Sequence, residues 1–180
     1  AVARLARGKT VLDCFTHTGS FALNAARGGA ARVTAVDVSE FAVECARKNA
    51  ARNGLSQVVD CMAANVFDLL PQLQKGQYDF IILDPPAFTK SRQTTQRAMA
   101  GYKEINYRAM RLLPRGGYLA TCSCSHFATE ELFRKMLHAA AHDAGVQLRQ
   151  IEARQQSADH PILWGVEETS YLKFYLFQVV

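Results

Sequence analysis

The chain alternates short apolar runs with longer amphipathic segments, and this alternation restricts the possible folds more than any other feature. Five apolar runs before residue 145 predict strands, at residues 11–15, 32–38, 57–62, 78–83 and 118–122. The fourth run is apolar at every position after Asp79, as expected for a strand that is covered on both faces. Repeated strand–helix units predict an α/β fold, in which a mostly parallel sheet lies between two layers of helices.

The segments between these runs predict helices, at residues 21–27, 39–53, 67–74, 97–113 and 129–145. Ser39 is a suitable N-cap for the second helix, and Gly54 suits the position just after its end. The polar, basic residues 91–100 favour a loop. After Gly145 two β-rich segments, around 147–153 and 172–180, follow without a helix between them. We therefore expect one doubly wound, seven-stranded sheet with one antiparallel strand near the C-terminus.

Composition places the chain among ordinary globular domains, with 180 residues, of which 49% are hydrophobic and 21% charged. Its apolar runs are too short to cross a membrane. Five cysteines form an odd set without the spacing of a disulfide framework, which favours reduced thiols and a cytoplasmic protein. The net charge of +5 is compatible with a polyanionic partner but does not establish one.

The turn after the first predicted strand contains one glycine, Gly19. A dinucleotide fingerprint needs several glycines for close approach to a pyrophosphate, so the turn disfavours NAD and favours S-adenosyl-L-methionine, which has no pyrophosphate. Asp37 closes the second strand, where a carboxylate can accept hydrogen bonds from both ribose hydroxyls. The alternative for Asp37 is a cap on the next helix, although Ser39 already supplies one.

Asn65 follows the third predicted strand, where the amide can both accept from and donate to an adenine ring. A turn-forming role is the equally weighted alternative. The residues predicted to bind the cofactor are Asp13, Phe15, Thr16, Thr18, Gly19, Asp37, Val38, Asn65, Val66 and Asp84.

Two polar segments follow the fourth and fifth predicted strands, and both should therefore lie at the carboxyl edge of the sheet, where ligands bind in open α/β folds. The first is Asp84-Pro85-Pro86-Ala87-Phe88, a carboxylate followed by a stiff diproline. Such a segment is moderately specific for methyltransferases that act on amino groups or ring positions of bases. Phe88 can stack on a flipped-out base, or it can belong to the core.

The second segment runs from Thr121 to His126 and contains Cys124. A thiolate that adds to C6 of cytosine makes C5 nucleophilic enough to accept a methyl group, and a thiol with its ordinary pKa is mostly protonated at neutral pH. His126, the 90–92 region or a helix N-terminus could lower the pKa of Cys124. A metal pair with Cys122 lacks a second pair of ligands, and for Cys122 a small buried apolar role is favoured.

The chain resembles the ribosomal RNA large-subunit methyltransferase I family, which forms 5-methylcytosine with S-adenosylmethionine on a Rossmann-like fold. The matching motifs are Phe15-Thr16-His17-Thr18-Gly19, Val36-Asp37-Val38-Ser39, Asn65-Val66-Phe67, Asp84-Pro85-Pro86, Gly101-Tyr102-Lys103, Ser123-Cys124-Ser125-His126, Ala158-Asp159-His160-Pro161 and Tyr171-Leu172-Lys173. The resemblance implies Cys124 as the nucleophile and Asp84 as the carboxylate that binds N3 and N4 of the cytosine. The predicted substrate-binding residues are Pro85, Pro86, Phe88, Lys90, His126 and His160.

The resemblance also implies a partner, ribosomal RNA of the 23S type, and assigns residues 1–180 to the catalytic domain, without the family's N-terminal RNA-binding PUA-like domain. Two other functions stay open. One is a methyltransferase of the same fold that acts on guanine N7 or an exocyclic amine without a cysteine nucleophile. The other is a non-catalytic module that binds S-adenosylmethionine or RNA. The target nucleotide, the base that removes the C5 proton and the oligomeric state, including a homodimer, are also open.

Overall fold

Seven strands form one sheet in the computed structural model, which describes residues 1–89 and 91–180 apart from the side chain of Arg92. The strands are β1 (Thr10–Cys14), β2 (Arg32–Asp37), β3 (Val59–Ala63), β4 (Phe80–Leu83), β5 (Tyr118–Ser123), β6 (Leu148–Arg154) and β7 (Lys173–Val179). Their spatial order is β3-β2-β1-β4-β5-β7-β6, and only β7 pairs antiparallel with its neighbours. The doubly wound sheet with one reversed strand near the C-terminus is confirmed.

Six α-helices connect or precede the strands in the described part of the chain: α1 (Val2–Leu5), α2 (Ser20–Arg27), α3 (Glu40–Arg52), α4 (Val66–Leu69), α5 (Thr95–Leu112) and α6 (Glu130–Ala144). Ser39 and Thr129 cap α3 and α6, because their hydroxyls accept hydrogen bonds from Ala42 N at 3.3 Å and from Leu132 N at 3.3 Å. The predicted cap at Ser39 is therefore confirmed.

The helix bounds differ from the prediction at three places. Helix α1 was not predicted. The predicted helix at 67–74 is a single α-turn followed by a 3₁₀ turn, Leu70–Gln72, because Pro71 cannot donate a helical hydrogen bond. The predicted loop over 91–100 is wrong from Thr95 onward, where α5 begins, and the overlapping prediction of a helix from residue 97 is confirmed. Ala98 of that first turn is 4% exposed, so tertiary burial there outweighs the polar local composition.

Two apolar layers cover the sheet and explain the uninterrupted apolar character of β4. Ile81 and Leu83 point into a cluster with residues of α5 and α6, whereas Phe80 and Ile82 point into a cluster with residues of α1, α2 and α3. Since successive residues of a strand face opposite sides, a strand buried on both faces has no polar position. The layers fix the sheet rigidly between the helices.

The carboxyl ends of β1, β4 and β5 lie side by side. Cys14 pairs with Leu83, so β1 and β4 end at the same level, and Leu83 pairs with Thr121, two residues before β5 ends at Ser123. Strand order reverses between β1 and β4, and open α/β sheets bind ligands at such a switch point. The segments that follow the three strands, from Phe15, Asp84 and Cys124, therefore start from one edge of the sheet. Over the described residues, no helix combines the length and apolar character that a bilayer span requires.

Candidate functional site

The turn between β1 and α2 has an unusual backbone. Phe15 and His17 have positive φ angles of 63° and 51°, which side chains other than glycine seldom adopt. Gly19 has φ 94°, and a Cβ at this position would lie 3.3 Å from Ala46 Cβ. The amide of Gly19 donates to Thr16 O at 2.8 Å. The turn is thus tight and partly strained, as backbone at a ligand site often is.

Asp13 supports this turn from behind. Its carboxyl is fully buried, and Oδ2 accepts hydrogen bonds from Thr16 Oγ1 at 2.6 Å and from Ala22 N at 2.9 Å. Oδ1 has no hydrogen-bond partner among the described residues. Burial raises the pKa of Asp13 to about 7, although the hydrogen bonds from Thr16 and Ala22 oppose the increase. This geometry favours a supporting role over the direct cofactor contact predicted from the sequence.

Asp37 joins the end of β2 to the same turn. Its Oδ2 accepts from His17 N at 2.9 Å, and its Oδ1 accepts from Ser39 N at 3.0 Å. A carboxylate has about four acceptor positions, so both oxygens can still accept from a pair of hydroxyls. Val38, the next residue, is 73% exposed beside it. Thr18, in the turn itself, accepts at its carbonyl from Asn49 Nδ2 at 3.0 Å.

Asn65 caps α4 through its side chain, because Oδ1 accepts from Phe67 N at 3.0 Å. This contact supports the turn-forming alternative, while the second lone pair of Oδ1 and the Nδ2 donors leave the adenine contact as a prediction. The side chain of Val66 is 2% exposed and belongs to the core. A ligand beside β3 would therefore meet the backbone of Val66, and the predicted role of Val66 in cofactor binding stays a prediction.

Asp84 and Cys122 form a buried pair at the ends of β4 and β5. The thiol of Cys122 lies close enough to the Asp84 carboxyl for the two groups to shift each other's pKa, since the carboxylate raises the pKa of Cys122. Burial raises the pKa of Asp84, and the interaction with the Cys122 thiol partly opposes the increase. Both side chains line a cavity of about 260 Å³ together with Phe21 and Phe174. Cys122 itself is 2% exposed, in agreement with the buried role predicted for it.

Three hydrogen bonds hold the turn that carries Cys124. Ser123 Oγ donates to Tyr102 Oη at 3.2 Å, and Ser125 Oγ donates to Thr89 O at 3.0 Å. From the opposite strand, Lys173 Nζ donates to the carbonyl of Ser125 at 2.6 Å. The residues on both sides of Cys124 are therefore fixed, while its own thiol is only half-buried.

The surroundings of Cys124 act on its thiol in opposite directions. Burial and the Asp84 carboxylate raise the pKa of Cys124. The ammonium of Lys173 lowers this pKa, as do hydrogen bonds from the backbone amides of Cys124 and Ala87. Lys173 has no role predicted from the sequence. The one charged residue in the largely apolar segment 172–180 was the signal that could have identified it.

Phe88 lies in an aromatic cluster. Its ring centroid is 4.6 Å from that of Tyr102, 5.9 Å from that of Phe67 and 6.4 Å from that of Phe15. Its ring is half-buried, so one part packs on the core while another part faces outward. The two predicted roles, base stacking and core packing, are therefore compatible at this position. Pro85 is buried and Pro86 is exposed.

The remaining predicted substrate residues lie in different places. His126 lines a second cavity of about 490 Å³, together with Glu130 and Lys173. His160 lies on the exposed connection between β6 and β7, where its Nδ1 is 3.0 Å from Tyr171 Oη. The structure thus brings His126 close to the Cys124 turn and gives His160 a contact with Tyr171 instead. Lys90 lies outside the described residues.

Metal ligation finds no support in the part of the chain that the structure describes. Within residues 1–89 and 91–180, no three His, Cys, Asp or Glu side chains gather at a spacing that could hold a metal ion. The five cysteines are free thiols.

Comparison with known proteins gives matches over nearly the whole chain. A family model described as "Methyltransferase domain" matches residues 5–171. Ribosomal RNA large subunit methyltransferase I of Pseudoalteromonas translucida is 43% identical over 176 residues, which cover 96% of this chain and 44% of that protein. The protein of the same name from Shewanella amazonensis is 46% identical over 173 residues, 94% of this chain and 44% of that protein. The chain thus spans less than half the length of these relatives.

Solved structures share the fold. The crystal structure of SMU.776 complexed with SAH superposes with a TM-score of 0.85 at 24% identity, over 99% of this chain and 47% of that chain. TrmN from Thermus thermophilus gives a TM-score of 0.69 at 27% identity, over 99% of this chain and 47% of that chain. The matches confirm the resemblance drawn from the motifs, and the chain belongs to the methyltransferase domain family.

Proposed function

We propose that this domain transfers a methyl group from S-adenosylmethionine to C5 of a cytosine in RNA, with large-subunit ribosomal RNA as the substrate. The observation that carries the proposal is the half-buried thiol of Cys124, held in a fixed turn close to the Asp84 carboxyl. The relatives named as ribosomal RNA large subunit methyltransferases support the choice of RNA.

The turn after β1 and the carboxylate of Asp37 fit the proposed cofactor. Gly19 keeps the turn free of a Cβ, and Asp37 retains acceptor capacity for two ribose hydroxyls. SMU.776, which shares the fold, was crystallised with SAH. When bound, S-adenosylmethionine supplies an electrophilic methyl group on a sulfonium sulfur.

Cys124 provides the nucleophile in the proposed reaction. Its thiolate adds to C6 of the cytosine and forms a carbon–sulfur bond, and the displaced π electrons make C5 nucleophilic. After C5 has accepted the methyl group, a base removes the C5 proton. The electron pair of that C–H bond restores the C5–C6 double bond and expels the thiolate. The backbone amides of Cys124 and Ala87 stabilise the thiolate before it attacks C6 and again after it is expelled.

Asp84 holds the base in the proposed reaction. Because burial raises the pKa of Asp84, its carboxyl is more readily protonated than an exposed one. A protonated carboxyl can donate to N3 of cytosine and accept from the N4 amine at the same time. Donation to N3 withdraws electrons from the ring and thereby favours addition of the thiolate at C6.

Analysis of the methylated product tests the proposed function. The chain is incubated with tritiated S-adenosylmethionine and ribosomal RNA that lacks modifications, and the nucleosides are separated after digestion. We expect the label in 5-methylcytidine. Label in 7-methylguanosine or in an N-methylated base would support the alternative reaction, and cofactor binding without transfer would support a binding module.

Replacement of Asp37 by alanine should weaken binding of S-adenosylmethionine about tenfold or more. The variant loses a charged acceptor to the ribose hydroxyls, which is worth about 1.5–3 kcal/mol. Isothermal titration calorimetry measures the change. Asp60→Ala is a matched control, because Asp60 is an exposed carboxylate of the neighbouring strand that pairs with Arg32 at 3.3 Å. Equal affinity in the wild type and Asp37→Ala would remove Asp37 from the cofactor site.

The basic segment after Asp84 is the proposed contact for RNA phosphates. Arg97 is exposed on the first turn of α5. Lys103, further along α5, forms an ion pair with Asp143 at 2.6 Å. Arg97 is therefore a better candidate than Lys103 for a phosphate contact.

A further inference from the structure

Lys173 is a buried lysine at the start of β7. Its Cα pairs with that of Ser123 across the antiparallel β5–β7 ladder, so the lysine lies beside the residue that precedes Cys124. The residue is 7% exposed. Lysine is seldom buried to this extent unless its charge is paired, because removal of an ammonium from water is costly. The position of Lys173 therefore needs an explanation.

The hydrogen bonds of Lys173 satisfy its donors but do not neutralise its charge. Nζ donates to the carbonyls of Ser125 at 2.6 Å and of Tyr171 at 2.8 Å. No ion pair of 4 Å or less joins Lys173 to a carboxylate of the described residues. Burial lowers the pKa of Lys173 to about 8, while Cys124 and Glu130 act in the opposite direction. A negative sulfur at Cys124 would provide the missing compensation.

We propose that Lys173 is the positioning residue of Cys124. The buried ammonium of Lys173 holds the turn at residues 123–125 in place and also stabilises the thiolate of Cys124. This inference rests on the proposed role of Cys124 as the nucleophile. The first effect works through the hydrogen bond to Ser125, and the second through the charge. A variant that retains the hydrogen bond without the charge can therefore separate them.

The thiol of Cys124 also faces charged and titratable groups from the other elements around it. Those whose charges interact with Cys124 or Lys173 are Asp84 after β4, Tyr102 of α5, Cys122 of β5 and Glu130 of α6. His126 of the same connection lines the cavity that Lys173 also lines. Asp84 raises the pKa of Cys124 and Lys173 lowers it, so the charge of Lys173 offsets the effect of the Asp84 carboxylate on this thiol.

Alkylation of Cys124 tests the proposal without cofactor or RNA. The chain is treated with iodoacetamide at a series of pH values, and peptide mass spectrometry follows the modification of Cys124 separately from that of the other cysteines. Because only the thiolate reacts, the rate reports the thiolate fraction. Lys173→Gln, which can still donate to the Ser125 carbonyl, and Lys173→Met should react roughly tenfold more slowly than the wild type at neutral pH. Lys173→Arg should restore the rate.

The shape of the pH profile separates charge from structure. Loss of the ammonium should shift the increase in the alkylation rate of Cys124 to higher pH. A merely structural role of Lys173 would instead change this rate equally at all pH values. Lys103→Met is the matched control, since Lys103 is a half-exposed lysine paired with Asp143, and its profile should match the wild type. Circular dichroism confirms that each variant is folded. An unshifted profile in a folded Lys173→Gln variant would overturn the proposal.

The wild type gives an independent measurement if the neutral variants do not fold. A thiol and an ammonium that interact titrate as a coupled pair, so the wild-type profile should rise more gradually than a single titration. A profile that follows one ideal titration would contradict the proposal. The methyl-transfer assay tests the proposed function independently of this proposal, because the stabilisation of the Cys124 thiolate by Lys173 does not depend on which base is methylated.

Discussion

RNA that carries 5-fluorocytosine at the target position should form a covalent complex with the wild-type chain and none with Cys124→Ala. Fluorine replaces the C5 proton that a base has to remove before the thiolate can leave. The adduct between the sulfur and C6 therefore persists after methyl transfer. With ordinary RNA, Cys124→Ala should lose roughly 10⁴-fold or more in turnover, which corresponds to about 5.5 kcal/mol in the activation barrier. Denaturing gel electrophoresis detects the complex, and release of tritiated methyl product gives the turnover.

Cys122→Ala is the matched control for this prediction. Cys122 lies two residues from Cys124, but it is 2% exposed and its thiol is engaged with Asp84. Burial raises the pKa of Cys122 well above that of an ordinary thiol, so the residue is poorly suited to act as a nucleophile. The variant should still trap the RNA. Trapping lost in Cys122→Ala and kept in Cys124→Ala would exchange the two assignments, and unchanged methylation in both variants would favour the guanine or amino-directed reaction.

The positions of the first strands and the cap of α3 could be predicted because they depend on local chemistry. An apolar run such as that of β4 has to be buried on both faces, and the hydroxyl of Ser39 has a direct hydrogen-bonding reason to begin α3. The absence of a helix between the last two strands indicated that one of them is reversed, and the structure identifies it as β7. Helix α1 was missed since one helical turn at the start of a chain carries too little periodicity to detect.

The site was harder to predict because its side chains are assigned by contacts between distant segments. The positions of Asp13 and Asn65 in the sequence correctly predicted that both lie near the carboxyl ends of strands. Their hydrogen bonds from Ala22 N and Phe67 N, which the sequence could not reveal, show that each side chain supports the local backbone. The contact between Lys173 and Ser125 joins residues 48 positions apart. Only the register of β5 against β7 brings them together, and periodicity within each segment contains no information about that register.

The free energy of unfolding should fall as the pH rises from about 4 to about 7, and Asp13 should be a main cause. An unfolded aspartate loses its proton near its ordinary pKa of 3.8, whereas burial keeps Asp13 protonated in the folded chain up to about 7. Between these values the folded state binds more protons than the unfolded state, so each increase in pH favours unfolding. The contribution is fully present below pH 4 and is lost above pH 7, with an upper limit of about 4 kcal/mol.

Asp13→Asn isolates this effect. The amide oxygen of asparagine can still accept from Thr16 and Ala22, but the side chain no longer titrates. Urea unfolding at several pH values should show that the variant gains stability relative to the wild type between pH 4 and 7. Burial raises the pKa of Asp84 as well, so a smaller slope of the same sign should remain in the variant. Asp143→Asn is the contrasting control, since Lys103 lowers the pKa of Asp143 and the stabilising effect of this carboxylate is lost as the pH falls. Parallel curves for the wild type and Asp13→Asn would mean that Asp13 is already ionised in the folded chain, with a charge inside the turn that the hydrogen bonds from Thr16 and Ala22 alone stabilise.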